Sequence, residues 1–167
     1  MTFLPAWLLL SLLPAQLPPQ PRLVEGKFGK ALDAATTPLA FGGDQRYRTP
    51  PLTVECWARL NGKRGFNVLV SSDTKSSARH WELYTYAGSG RLSAYLPGYT
   101  PAEIIAPLDV CDRKWHHLAM TFDGSRVALF ADGKQVHAQE VKPRPGLKPL
   151  DGPVGRSGHR WEQPHRL

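Results

Sequence analysis

The sequence predicts an all-β domain built as two antiparallel sheets packed face to face. Three observations carry that expectation. Gly (15) and Pro (16) are abundant among the 167 residues but follow no period, so they punctuate short apolar runs rather than build a fibrous repeat. Those runs are rich in Val, Ile, Phe, Tyr and Thr and too short for ordinary helices. The stretch "KWHHLAMTFDGSRVALFADGKQVH" holds Asp-Gly twice, at Asp123-Gly124 and Asp132-Gly133. Tight hairpin turns need positive φ, which Asp tolerates and Gly adopts freely, so residues 118–122, 127–130 and 135–141 read as a three-stranded meander.

The elements follow in chain order. Residues 1–20, "MTFLPAWLLLSLLPAQLPPQ", contain no Asp, Glu, Lys or Arg, and their apolar run from Phe3 to Ala15 is short for a bilayer span. The segment resembles a secretory signal peptide. It lacks a basic residue beside Met1 and has Leu13 where a cleavage site prefers a small side chain; a buried N-terminal strand or an uncleaved anchor is the alternative. No later run is apolar enough to cross a membrane. The Pro-rich "LPPQPRL" reads as an extended spacer, and strands follow at about 30–35, 38–41, 52–60, 66–71, 81–87, 91–96 and 104–110, ahead of the meander. The expected organisation is a leader with the start of the spacer over 1–20, one sandwich over 22–155, and a basic irregular tail over 156–167.

Net charge is +7 with a pI near 9.7. The Lys and Arg residues are scattered, which argues against a dedicated nucleic-acid site and leaves acidic polymers as a weaker class of partner. Cys56 and Cys111 lie in or beside expected strands. In an exported chain the pair reads as a disulfide, in a cytosolic one as two buried thiols, and the leader favours the bridge.

The hairpin "HWELYTYAGSGRLSAYL" carries the clearest functional pattern. Alternation puts Trp81, Leu83 and Thr85 on one face and Glu82, Tyr84 and Tyr86 on the other; across the turn, Leu92, Ala94 and Leu96 oppose Arg91, Ser93 and Tyr95. The face away from the core then gathers Tyr84, Tyr86, Arg91 and Tyr95. Aromatic faces stack on sugar C–H surfaces and Arg donates forked hydrogen bonds to hydroxyls or carboxylates. Cross-strand aromatic pairing alone would give the same pattern with no ligand.

With the strands laid out, "GKFGKALD", "LTVECWARL", "GSGRLSAYL" and above all "KWHHLAMTFDGSRVALFADGKQV" resemble the laminin-G-like, concanavalin A-like lectin/glucanase jelly roll of bacterial secreted proteins. More distantly the chain is similar to the pentraxins, whose cysteine pattern implies a bridge between Cys56 and Cys111. Two departures stand out. The family's closing strand is replaced by "GPVGRSGHRWEQPHRL", so the sandwich is expected to lack its last strand or to be a fragment. The pentraxin calcium ligands would fall at Ser77–His80, where "SARH" offers no carboxylate; calcium is known in the superfamily, but no metal or other cofactor is expected at that place.

The related glucanases use Glu-x-Asp-x-x-Glu on one strand face, and no Glu-x-Asp occurs in this chain. Glu55, Glu82 and Glu140 stand alone. His116 and His117 are adjacent on a strand and point to opposite faces, so they cannot share a metal. G-x-S-x-G, P-loop and dinucleotide fingerprints are absent from the sequence. The expectation is a noncatalytic recognition or adhesion module, secreted, extracellular or periplasmic, that binds a glycan or a cell-surface protein. The alternative is a structural or protein-docking module without a small ligand.

Overall fold

The computed structural model describes residues 20–36, 38–41, 44–148 and 150, in two compact units, Met1–Ala40 and Phe41–Leu167. Almost all of the expected leader, the expected basic tail and the expected loss of a closing strand lie outside the described residues. In the first unit β1 (Leu23–Glu25) and β2 (Lys30–Leu32) form an antiparallel hairpin with Glu25 opposite Lys30. Their side chains form an ion pair across it. The strand expected over 30–35 stops at Leu32, because the carbonyl of Asp33 accepts from both the amide and the hydroxyl of Thr36 and turns the chain. Residues 38–41, expected as a strand, are irregular; Pro38 has no amide to give a ladder.

The second unit opens with one turn of 3-10 helix, Gln45–Arg48, whose cap is Asp44, with a carboxylate oxygen 2.8 Å from the amide of Arg46. Ten strands follow: β3 (Leu52–Arg59), β4 (Asn67–Ser72), β5 (Trp81–Thr85), β6 (Arg91–Tyr95), β7 (Tyr99–Thr100), β8 (Glu103–Asp109), β9 (Trp115–Phe122), β10 (Arg126–Ala131), β11 (Lys134–Glu140) and β12 (Lys142–Pro143). They pair antiparallel into one sheet ordered β11-β10-β9-β3 and another ordered β4-β5-β6-β8, with a short β12-β7 ladder beside them. This is the all-β, two-sheet antiparallel sandwich that the sequence predicts.

Alternation builds the core. Leu52, Leu118, Met120, Phe122, Val127 and Leu129 face inward from the first sheet, and Trp81, Leu83, Leu92, Ala94, Ile104 and Ala106 from the second. Burying a large apolar side chain of this kind contributes about 1.5–3 kcal/mol. The opposite sides of β5 and β6 are thereby committed outward, which is what makes a functional face available there.

The two Asp-Gly pairs do different work. At the second, Asp132 (φ 50) and Gly133 (φ 77) are the two loop residues between Ala131 and Lys134, a tight turn with positive φ at both centres. At the first, only Gly124 has positive φ (106), while a carboxylate oxygen of Asp123 accepts from the amides of Ser125 (2.8 Å) and Arg126 (2.7 Å). That is a longer turn held by a side chain.

Asp132 also organises the start of β9. One carboxylate oxygen accepts from the His117 amide at 2.9 Å, and the other lies 2.7 Å from Nδ1 of His116, whose Nε2 is 3.0 Å from Asp112. Burial opposes charge on this imidazole, but hydrogen bonds to Asp132 and then Asp112 prevail, and its pKa is raised above the ordinary value. A raised folded pKa gives stabilisation that is complete below the unfolded imidazole pKa and is lost as pH rises through the folded one. The unfolding free energy of wild type relative to His116→Gln should therefore be larger at about pH 5.5 than at about pH 8.5. Urea melts of both proteins at the two pH values measure it; a constant difference would contradict the assignment.

The β5–β6 turn depends on a glycine. Gly90 has φ 69, and a Cβ there would collide with the carboxylate of Asp109 and lie 3.0 Å from Cβ of Cys111. Gly90→Ala should cost about 1–3 kcal/mol from backbone strain alone, read as a lowered urea midpoint. An unchanged midpoint would mean that the turn relaxes without cost.

The expected Cys56–Cys111 bridge is not formed; both residues are free thiols. Cys56 sits on β3 opposite Leu118, while the sulfur of Cys111, after β8, is 3.6 Å from Oγ1 of Thr85 and 3.7 Å from Nδ2 of Asn67. Burial, then the charge of Glu55, push the Cys56 thiol up to about 11. At neutral pH it is protonated and a poor partner for disulfide exchange.

Candidate functional site

The outer face of the β4-β5-β6-β8 sheet carries a pocket of about 180 Å³ lined by Phe66, Lys75, Glu82, Tyr84, Tyr95 and Glu103. Strand register places most of these residues. Glu82 on β5 lies opposite Tyr95 on β6, Tyr84 lies opposite Ser93, and Tyr95 lies opposite Glu103 on β8. Phe66 enters from the end of the loop before β4. Lys75 comes from the loop between β4 and β5.

That second loop is ordered by its own hydrogen bonds. Asp73 holds the Thr74 amide at 2.8 Å with one oxygen and the Ser77 hydroxyl at 2.9 Å with the other. These contacts, the backbone one first, keep its carboxyl below the usual carboxylate range. The Ser77 amide bonds the Thr74 carbonyl and the His80 amide bonds the Ser77 carbonyl, so the loop folds back toward β5 with Lys75 at its bend.

Of the four expected site residues, Tyr84 and Tyr95 line the pocket, while Tyr86 and Arg91 are not among its lining residues. Tyr84 is 1% exposed and forms the floor; its hydroxyl is 3.4 Å from Oε1 of Glu103. Burial, then the Glu103 charge, hold that hydroxyl well above the ordinary tyrosine pKa, so it remains a proton donor. Tyr95 forms a side wall, its ring 6.0 Å from His80. Tyr86 packs beside two lining residues, 5.5 Å edge-on to Phe66 and 6.5 Å from Tyr84. Arg91 is exposed at the turn end of β6, opposite Asp109, with Nε 3.4 Å from the Ser89 hydroxyl, and is not among the residues lining the pocket. The bulge between Arg91 and Ser93 in the pairing with β8 sets that end of the strand apart.

Several contributors escaped the sequence reading. Phe66 is 54% exposed and lies 5.8 Å from Tyr84, which makes it the accessible aromatic face at the rim. The Glu82 side chain is 5% exposed and is held by Lys75 at 3.2 Å and His80 at 3.3 Å. Glu103 belongs to β8, which begins one residue earlier than expected. The other solitary glutamates are also paired, Glu55 with His117 at 3.4 Å and Glu140 with Arg126 at 3.2 Å. Among the described residues no group of three or more His, Cys, Asp or Glu is placed to hold a metal ion. No helix among them is long and apolar enough to cross a membrane.

Two sheets around one core, with an aromatic and acidic pocket on an outer face, define a β-sandwich binding module. The chain belongs to the concanavalin A-like lectin/glucanases superfamily: a laminin-G-type family model with that description matches residues 29–164. It is similar to calsyntenin-1 of Danio rerio, 32% identical over an alignment of 114 residues, with 56% of this chain and 12% of that protein covered. It is also similar to calsyntenin-1 of Homo sapiens, 30% identical over an alignment of 113 residues, with 56% and 11% of the two chains covered. The match thus spans only about an eighth of those relatives. Among solved structures it is similar to domains LG4-5 of the mouse laminin alpha1 chain, with a TM-score of 0.46, 16% identity, and 59% of this chain and 25% of that one covered. Another is the CBM40 of the Ruminococcus gnavus IT-sialidase bound to alpha2,3 sialyllactose, with a TM-score of 0.42, 20% identity, and 53% and 52% covered.

Proposed function

We propose that the chain is a noncatalytic recognition module, acting outside the cell, that binds a glycan in the pocket on the β4-β5-β6-β8 sheet. The pocket itself carries the reading: aromatic rings beside two carboxylates and an ammonium, about 180 Å³ in volume, on a sheet face the core does not use. Phe66 offers a C–H stacking surface, Tyr95 flanks it, and Glu82 and Glu103 supply acceptors for the polar groups of a sugar. Tyr84 acts from below, by shaping the floor and orienting Glu103. Tyr86 supports Phe66. Arg91 contributes only if a ligand extends along β6 toward the turn. The superfamily match and the leader-like residues 1–20 support a place outside the cell.

Binding of the purified full chain to a glycan array, at two salt concentrations and with and without calcium, tests this. Salt-resistant binding to a defined set of sugars is the expected result, and this pocket requires no calcium for it. Binding only to acidic glycans that vanishes with salt would credit the net charge of +7 instead. No binding by a folded sample would leave protein docking as the function of this face.

A further inference from the structure

The pocket already holds a cation, its own. Nζ of Lys75 lies 3.2 Å from a carboxylate oxygen of Glu82, 5.8 Å from the Phe66 ring centre and 5.7 Å from that of Tyr95. A buried carboxylate and two aromatic faces around one ammonium are the groups that select an organic cation. Glu82 is 5% exposed, whereas the Lys75 side chain is 63% exposed on a loop. The carboxylate is therefore a fixed part of the site and the lysine a replaceable one. Holding a long, solvated lysine in one geometry costs rotamer entropy, which offsets part of what its contact with the buried carboxylate contributes. An ammonium fixed to a rigid ring loses less on binding and brings the ring's own contacts with it.

We propose that this pocket is an ammonium cage whose ligand is a sugar bearing a free amine, which takes the place of the Lys75 ammonium on Glu82. The assignment rests on the glycan reading above and narrows it to a chemical class. The cavity, about 180 Å³, is comparable with a single sugar ring. Phe66 and Tyr95 give a pyranose flat apolar walls. Glu103, with one oxygen oriented by the Tyr84 hydroxyl, is a second acceptor in the same pocket for a ring hydroxyl or the amine. The site is locally acidic although the chain carries a net +7, so general electrostatics oppose this ligand and any selectivity for it must come from these residues.

Calorimetric titration of the full chain with a glucosamine tetramer and with its N-acetylated counterpart, on the acidic side of neutrality where the amines are charged, tests the assignment. The free amine should bind at least about tenfold more tightly, and Glu82→Gln should remove that preference. Lys75→Met, which leaves the Glu82 carboxylate beside His80, should tighten amine binding about two- to fivefold by removing the internal competitor; thermal melts verify that both variants fold. Equal binding of both tetramers, unchanged in Glu82→Gln and Lys75→Met, would overturn the cage and leave the glycan reading standing. Silence of both tetramers together with silence on the array would overturn both. A preference for carboxylate-bearing sugars that disappears in Lys75→Met would make Lys75 the ligand's anchor and contradict the proposal. Comparable binding of a tri-lysine peptide would retain the ammonium site and overturn its assignment to a sugar.

Discussion

Trp81→Ala should lower the unfolding free energy by about 3–5 kcal/mol, the range for deleting a large aromatic side chain from a packed core. Trp81 is buried at the start of β5, within the core that both sheets share. Its indole N–H also donates to the carbonyl of Tyr47 at 2.7 Å, which ties the 3-10 turn to the sheet. Alanine leaves a cavity and orphans that carbonyl at once. Trp81→Phe separates the two contributions: it keeps much of the volume and removes the donor, which should cost about 1 kcal/mol for the hydrogen bond and somewhat more for the lost volume. Urea melts of the three proteins measure this. A loss below that of Trp81→Phe in the alanine variant would mean that the region is not packed as described.

Phe66→Ala should weaken glycan binding by about tenfold or more while leaving the melting midpoint close to wild type. The ring is half exposed in the absence of ligand, so its removal costs the fold little, whereas a bound sugar would cover its free face. Arg91→Ala, at the far end of β6, is the matched comparison and should leave single-sugar affinity nearly unchanged. Titration of one array ligand into the two variants decides the matter. If Arg91→Ala were the damaging change, the binding surface would lie along the turn rather than at the pocket.

The fold was legible because the local signals agreed. Alternation along Trp81–Thr85 and Arg91–Tyr95 fixed which side chains enter the core, and the Asp-Gly turns fixed the meander. What escaped was set partly by local hydrogen bonds that strand patterning does not register and partly by contacts distant in sequence. The stop at Leu32 depends on hydrogen bonds made by Asp33, and the 3-10 turn depends on the Asp44 cap. The lost disulfide shows the same limit, since spacing along the chain does not tell where two sulfurs point. In the site, strand alternation placed Tyr84, Tyr95 and Glu82 on one face, but it could not say that Phe66 and Lys75 would fold over them from two loops. Nor could it say that Tyr84 would be covered while Phe66 stays open. Glu82 was legible as facing the right way and was set aside as a solitary glutamate; its burial beside His80 and Lys75 is what makes it part of a site. Arg91 shares the parity of Tyr95, but the bulge next to it breaks the regular surface on which parity arguments depend.

The most direct test of the central claim is an amide NMR titration of the isotope-labelled chain with the strongest array ligand. The expected result is a set of shift changes confined to the pocket, at Phe66, Lys75, Glu82, Tyr84, Tyr95 and Glu103 and their immediate neighbours. Saturable shifts centred on the outer face of β9 and β10, with the pocket residues unmoved, would contradict it.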